Sequence, residues 1–259
     1  MHPDIYLTPV RAFTDNYIWV IHRDAFAVVV DPGDAQPVLQ FLRDKQLQPV
    51  AILTTHHHAD HTGGNLELLK HYSVPVYGPA SEAIPGITRP LHDGDIVSLP
   101  ELMLDLHVFD VPGHTIGHIA YYGTGLLLCG DTLFAAGCGR LFEGTPVQMN
   151  HSLARLAQLP DDTAVYCAHE YTLANIDFAL SVDGGNPALL ERARIERKKR
   201  SADIPTLPSS IGLEKATNPF LRCHINALRQ SAESWVGKPL QDSIAVFTAL
   251  REMKNTFRA

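Results

Sequence analysis

Between Thr55 and His61 the chain reads Thr-His-His-His-Ala-Asp-His, and this segment restricts what the protein can be more than any other. In an extended stretch, residues two apart point the same way, so His56 and His58 can share one ion while His57 faces elsewhere. Asp60 and His61 begin the next turn, and Gly63-Gly64 let the backbone bend into a helix without a Cβ clash. So many ligands packed this tightly cannot all meet one ion with good geometry, so a second ion is expected. Two ions need further donors, and three stand behind apolar runs: His114 in Pro-Gly-His-Thr, Asp131 in Cys-Gly-Asp-Thr and His169 in Ala-His-Glu. His114 completes a set with His56 and His58, His169 completes one with Asp60 and His61, and Asp131 can bridge through its two oxygens. A hydroxide between the ions, its parent water acidified by the metal charge, would then serve catalysis beside Asp60 and Asp131. His118 reads as a residue that orients the site or pairs in the sheet, and His57 as a neighbour of the ligands or a core residue.

The surrounding pattern is that of layered α/β structure. An apolar run at 25–30 is closed by Asp31-Pro32-Gly33-Asp34, a strand followed by a turn. Val38, Leu39 and Leu42 then recur at helical spacing with Asp34 as N-cap, and a second apolar run at 50–53 completes a β-α-β unit. The histidine segment therefore lies where a strand emits its loop. A helix is expected at 65–72, and strands at 74–77, 96–99, 102–109, 118–122, 126–129 and 164–167. Sheets packed together and covered by helices follow. After His169 the texture becomes helical, at 171–181, 187–200, 223–236 and 242–254, with breaks at 204–210 and 237–239. A boundary near residue 172 is expected, dividing the chain into 1–172 and 173–259.

Composition mainly excludes. The 259 residues, 45% of them apolar, suffice for an ordinary core. A formal charge of −7 argues against a nucleic-acid partner, which would require a cationic face. The basic segment 192–200, interspersed with Glu196 and preceded by Glu191, reads as a solvated helix face. No apolar run long enough to span a bilayer is present, and the first residues lack the pattern of a signal peptide, so a soluble, cytoplasmic monomer is expected. Four cysteines, Cys129, Cys138, Cys167 and Cys223, are too few and scattered for a disulfide framework and read as free thiols.

On His56, His58, Asp60, His61, His114, Asp131 and His169 the chain resembles the metallo-β-lactamase superfamily. Within it, the chain is similar to the glyoxalase II family, the hydroxyacylglutathione hydrolases. The closer resemblance rests on Asp15-Asn16-Tyr17, Val30-Asp31-Pro32-Gly33, Cys129 to Phe134, Gly137-Cys138-Gly139-Arg140, Phe142-Glu143-Gly144-Thr145, Cys167 to Thr172 and Asn218-Pro219-Phe220. It implies an αββα sandwich with a dinuclear site, followed by a helical domain that helps hold glutathione. The implied ions are two divalent metals, zinc foremost, with iron or manganese also suited. The implied reaction is hydrolysis of an S-2-hydroxyacylglutathione, S-D-lactoylglutathione above all, in methylglyoxal detoxification. Implied substrate contacts are Arg140, Tyr171, Arg251 and Lys254, together with Phe142, where relatives often carry tyrosine. The alternatives are a hydrolase of another ester, lactone or amide, a mononuclear iron oxygenase acting on glutathione persulfide, and a metal- or glutathione-binding module without catalysis.

Overall fold

Residues 5–258 are described by the computed structural model, whose first sheet contains central strands with apolar residues buried on both faces. The strands are β1 (Tyr6–Ala12), β2 (Asn16–Arg23), β3 (Phe26–Val30), β4 (Gln48–Leu53), β5 (Val76–Pro79) and β6 (Arg89–Leu91), hydrogen-bonded in that order. Tyr17, Trp19 and Ile21 of β2, with Val28 and Val30 of β3, face the central core. Ile18, Val20, Ala27 and Val29 face the other way, against Val38, Leu39 and Leu42 of helix α1 (Ala35–Lys45). Both faces are therefore covered, as parallel pairing of β3 with β4 and of β4 with β5 requires. Asp34 caps α1 by accepting the Gln36 N–H at 2.9 Å.

After the short helices α2 (Ala59–Thr62) and α3 (Asn65–His71), the second sheet is built from β7 (Ile96–Leu99), β8 (Leu104–Asp110), β9 (Ile119–Gly123) and β10 (Leu126–Gly130). A two-stranded hairpin, β11 (Leu133–Phe134) and β12 (Gly137–Cys138), and helix α4 (Pro146–Leu156) precede β13 (Ala164–Cys167). Leu104, Leu106 and Val108 of β8 and Leu127 of β10 join the same central core as β2 and β3. One edge of the sandwich is stitched directly: the Tyr17 N–H donates to Ala168 O at 2.7 Å and the Ile119 N–H to Thr55 O at 2.9 Å. The ends of β4, β8, β10 and β13 meet at this edge.

Helices α5 (Thr172–Asp183), α6 (Pro187–Ser201), α7 (Ile211–Thr217), α8 (Asn226–Val236) and α9 (Ser243–Thr256) complete the chain, with β14 (Ser209–Ser210) between α6 and α7. This region has a small cluster of its own, Ile176 and Ala179 of α5 with Leu189 and Ala193 of α6, and otherwise packs into the sandwich. β14 is the edge strand of the second sheet, paired to β13, and Phe178, Phe220 and Phe247 belong to the cluster that fills the sandwich. The segment 192–200 also departs from a purely solvated face. Arg192 is buried and pairs with buried Glu214 at 2.6 Å, while Arg194 and Arg197 remain on the surface beside Glu191 and Asp177. All four cysteines are free and buried. No helix among the described residues is long and apolar enough to cross a membrane.

Candidate metal centre

β4 delivers Thr54 and Thr55 to the sandwich edge, where the backbone leaves the sheet and His56, His58 and then α2 converge. His56 Nε2 and His114 Nε2 both lie 3.0 Å from His58 Nδ1. Asp60, His61 and His169 form a second trio: His61 Nε2 and His169 Nε2 are 3.4 Å apart, and each is 3.5 Å from Asp60 Oδ2. Asp131 stands between them. Its Oδ1 is 3.5 Å from His61 Nε2 and 3.3 Å from His169 Nε2, while Oδ2 is 3.4 Å from His114 Nε2.

The donor set fits two metal ions. Donors held about 2.0–2.1 Å from one tetrahedral ion lie about 3.3 Å apart, close to the separations within each trio. Asp131 Oδ1 is buried and accepts no hydrogen bond, a costly state for a carboxylate oxygen unless a cation meets it. Four carboxylates, from Asp15, Asp31, Asp60 and Asp131, are gathered around these histidines, and two divalent ions match their charge.

Outer ring nitrogens are pinned so that the inner ones face the donors' centre. His56 Nδ1 is 3.0 Å from Thr55 Oγ1, whose own hydroxyl donates to Asp31, so the imidazole is the donor. His61 Nδ1 faces Asp31 Oδ2 at 3.1 Å, His114 Nδ1 the Arg140 carbonyl at 2.8 Å and His169 Nδ1 the Asp15 carboxylate at 2.9 Å. Such partners fix tautomer and ring orientation. Asn16 does the same for a carboxylate, donating from Nδ2 to Asp60 Oδ2 at 3.0 Å. His118 lies outside both trios, and its Nε2 accepts the Asp131 N–H at 3.1 Å, which aims that carboxylate. Gly130, at φ +46, makes that turn possible, since a Cβ there would lie 2.3 Å from Thr55 Oγ1 and 2.9 Å from His118 Nε2.

Electrostatics separate the two trios: the surrounding carboxylates raise His61 and His169 against the effect of burial. Burial pushes His56, His58 and His114 below their ordinary values, leaving neutral imidazoles with a lone pair to offer. Burial acts upward on Asp131, but His61 and His169 outweigh it and hold the carboxyl well below the usual range.

Over the trios opens a cavity of about 390 Å³ whose lining includes Asp60, His114, Asp131, Phe142, His169 and Tyr171. Tyr171 stacks on His169 with centroids 4.6 Å apart, and Phe142 stands edge-on to His58 and His114 at 5.5 and 5.3 Å.

Residues 12–169 match the metallo-beta-lactamase superfamily model, and residues 170–257 the model described as hydroxyacylglutathione hydrolase C-terminus. A hydroxyacylglutathione hydrolase of Nitrosomonas europaea is 58% identical over 250 residues, which cover 96% of this chain and 95% of that one. The chain belongs to the hydroxyacylglutathione hydrolase family. Another member, from Methylobacillus flagellatus, is 53% identical over 97% of this chain and 99% of its own. Among solved structures, ETHE1 from Myxococcus xanthus superposes with a TM-score of 0.66 at 23% identity, covering 97% of this chain and 90% of that one, and shares the fold. TTHA1623, solved in a di-iron-bound form, gives 0.59 at 26% identity over 83% of this chain and 100% of that one.

Within this hydroxyacylglutathione hydrolase fold the expected substrate residues are not equivalent. Arg140 is exposed, with Nε 3.4 Å from Asn255 Oδ1. Lys254 Nζ donates to the Ala174 carbonyl at 2.8 Å and lies 5.5 and 5.6 Å from the Phe178 and Phe257 rings. Arg251 differs from the expectation of an open cation. It is buried, with Nη1 donating to Cys138 O at 2.8 Å and Nη2 to Asn255 Oδ1 at 3.2 Å. Asp15, Asn16 and Asp31 are not expected from the sequence to support the metal centre. The available signal was a polar residue beside an apolar strand: Asp15 and Asn16 where β2 begins, Asp31 where β3 ends.

Proposed function

We propose that the protein hydrolyses S-2-hydroxyacylglutathiones, S-D-lactoylglutathione foremost, to a 2-hydroxy acid and glutathione, and so serves methylglyoxal detoxification. The observation that carries this reading is Asp131, one carboxylate facing two complete donor trios beneath a cavity bordered by the family's helical region. Two divalent ions, zinc foremost, held by His56, His58 and His114 and by Asp60, His61 and His169 with Asp131 shared, supply Lewis acidity toward water and toward the thioester carbonyl. Asp60 and Asp131 stay ionised and keep that charge in place. Tyr171 and Phe142 flank the cavity and exclude water from either side of the acyl group. Arg140 and Lys254 meet the glutathione carboxylates, whereas Arg251 acts by holding the carbonyls of the 138–139 segment. A departing thiolate is a weak base, so no side chain is needed as proton donor. A complete second trio supports two ions, and thereby hydrolysis over a mononuclear oxygenase. The protein acts as a cytoplasmic monomer, a setting that suits four buried, unpaired thiols.

The test is hydrolysis of S-lactoylglutathione beside lactoyl methyl ester and a β-lactam, with metal analysis of the same sample. Thioester turnover with two ions per chain is expected. A protein carrying two ions that leaves the thioester intact, or prefers the ester or the lactam, would overturn the assignment.

A further inference from the structure

His57 is the histidine of the 56–61 segment that neither trio uses. Its ring lies between two carboxylates, with Nδ1 3.0 Å from Glu82 Oε2 and Nε2 3.1 Å from Glu143 Oε1. The far oxygens of both glutamates reach the same loop, the one that follows His114. Glu82 Oε1 accepts from Thr115 Oγ1 at 2.5 Å and from the Gly117 N–H at 3.0 Å, and Glu143 Oε2 accepts from the Ile116 N–H at 3.0 Å. The two carboxylates differ in setting: the Glu82 side chain is 4% exposed and that of Glu143 is 36% exposed, next in the chain to Phe142 at the rim of the cavity. Beside Glu143, the Phe142 N–H donates to His114 O at 3.2 Å. On its other side, a Cβ on Gly144 would lie 2.6 Å from Gly113 Cα, so the rim segment rests directly on the backbone leading to His114.

We propose that Glu143 is a positioning residue for substrate: clipped to His57 and to the Ile116 N–H, it holds the rim segment 141–145 on the His114 loop and fixes Phe142 at the cavity mouth. This rests on the reading above that the cavity receives a glutathione thioester. Phe142 depends on the clip because the residue is 60% exposed and its ring meets His58 and His114, in T-shaped contacts, and the Arg140 guanidinium. His114 does not depend on it. Its Nδ1 is held by the Arg140 carbonyl, and buried Glu82 keeps Thr115 and Gly117 in place without Glu143. Losing Glu143 therefore loosens the mouth and leaves both donor trios assembled, an effect that belongs in KM.

Steady-state kinetics on the metal-loaded enzyme with S-lactoylglutathione, for Glu143→Ala and Glu143→Gln, test the proposal. In Glu143→Ala, KM is expected to rise roughly three- to tenfold with kcat and the two-ion content unchanged. Glu143→Gln keeps an oxygen for the Ile116 N–H and should recover most of that loss, which a general destabilisation would not show. Hydrogen exchange reads the clip without turnover: the Ile116 and Phe142 amides should lose protection in Glu143→Ala. An unchanged KM, a fall of kcat together with metal content, a glutamine no better than alanine, or unaltered amide protection would each overturn the proposal. A wild type inactive on the thioester would instead strike the assigned reaction, and the exchange data would still decide whether the clip exists.

Discussion

Asp31 looks in sequence like the first residue of a turn, yet in space its carboxylate serves the metal centre. Oδ1 accepts the Thr55 N–H at 2.7 Å, and Oδ2 accepts the Thr55 hydroxyl at 2.7 Å and faces His61 Nδ1 at 3.1 Å. Asparagine there keeps the shape but withdraws the negative charge from His61. Asp31→Asn should therefore weaken affinity for the second ion by about 10–100-fold, read by competition with a chelator, while the fold persists. Unchanged affinity would show that His61 is oriented by other groups. Phe142 invites the opposite kind of change. It supplies an aromatic ring at the mouth without a hydroxyl, so Phe142→Tyr should lower KM for the glutathione thioester roughly two- to tenfold, the worth of one net hydrogen bond. A KM that stays put or rises would mean another group already makes that contact.

Elements were legible where chemistry and periodicity coincided. The β3–α1–β4 unit follows from two apolar runs and the Asp34 cap, and the seven candidate donors stand out in sequence because each lies at a strand end or in the loop and short helix that follow one. β2 was not legible as a strand: residues 16–21 are buried on both faces, so no alternation of polar and apolar residues marks it. Helix α4 did carry a signal, Pro146 at its start and the reciprocal Thr145–Gln148 cap, which the surrounding strands masked. Side-chain depth was hidden as well. Arg251 and Lys254 are three apart on α9, yet the first is buried on the 138–139 carbonyls and the second reaches Ala174 O. Burial foremost, then the Arg251 charge, pulls Lys254 down to about 8, while Asp177 and Cys138 oppose the shift. Below that pH the ammonium is charged and attracts glutathione carboxylates; above it the charge is lost. KM should accordingly rise as pH passes about 8, and Lys254→Arg, which stays charged, should flatten the profile. An identical rise in the arginine variant would assign the titration elsewhere.

At the scale of the whole molecule, the main hydrophobic cluster runs across the change of texture at residue 172. β14 pairs with β13, Glu214 of α7 accepts the Ala136 N–H at 2.8 Å, and Phe178, Phe220 and Phe247 pack into the sandwich. A chain ending at residue 172 would expose that apolar surface and leave the Ala136 N–H without its acceptor. It should lose cooperative unfolding in a calorimetric scan and fail to retain two ions. A truncated chain that melts cooperatively with both metals bound would establish an independent catalytic domain. The same closed interior has a bearing on sulfur chemistry. A thioester is an activated acyl donor, and a cysteine thiolate in reach could take up the acyl group, with glutathione leaving as its thiolate. Burial pushes all four thiols up, Cys167 and Cys223 to about 12, so none supplies a thiolate near neutral pH. Toward the proposed thioester, the four buried thiols would therefore be poor acyl acceptors.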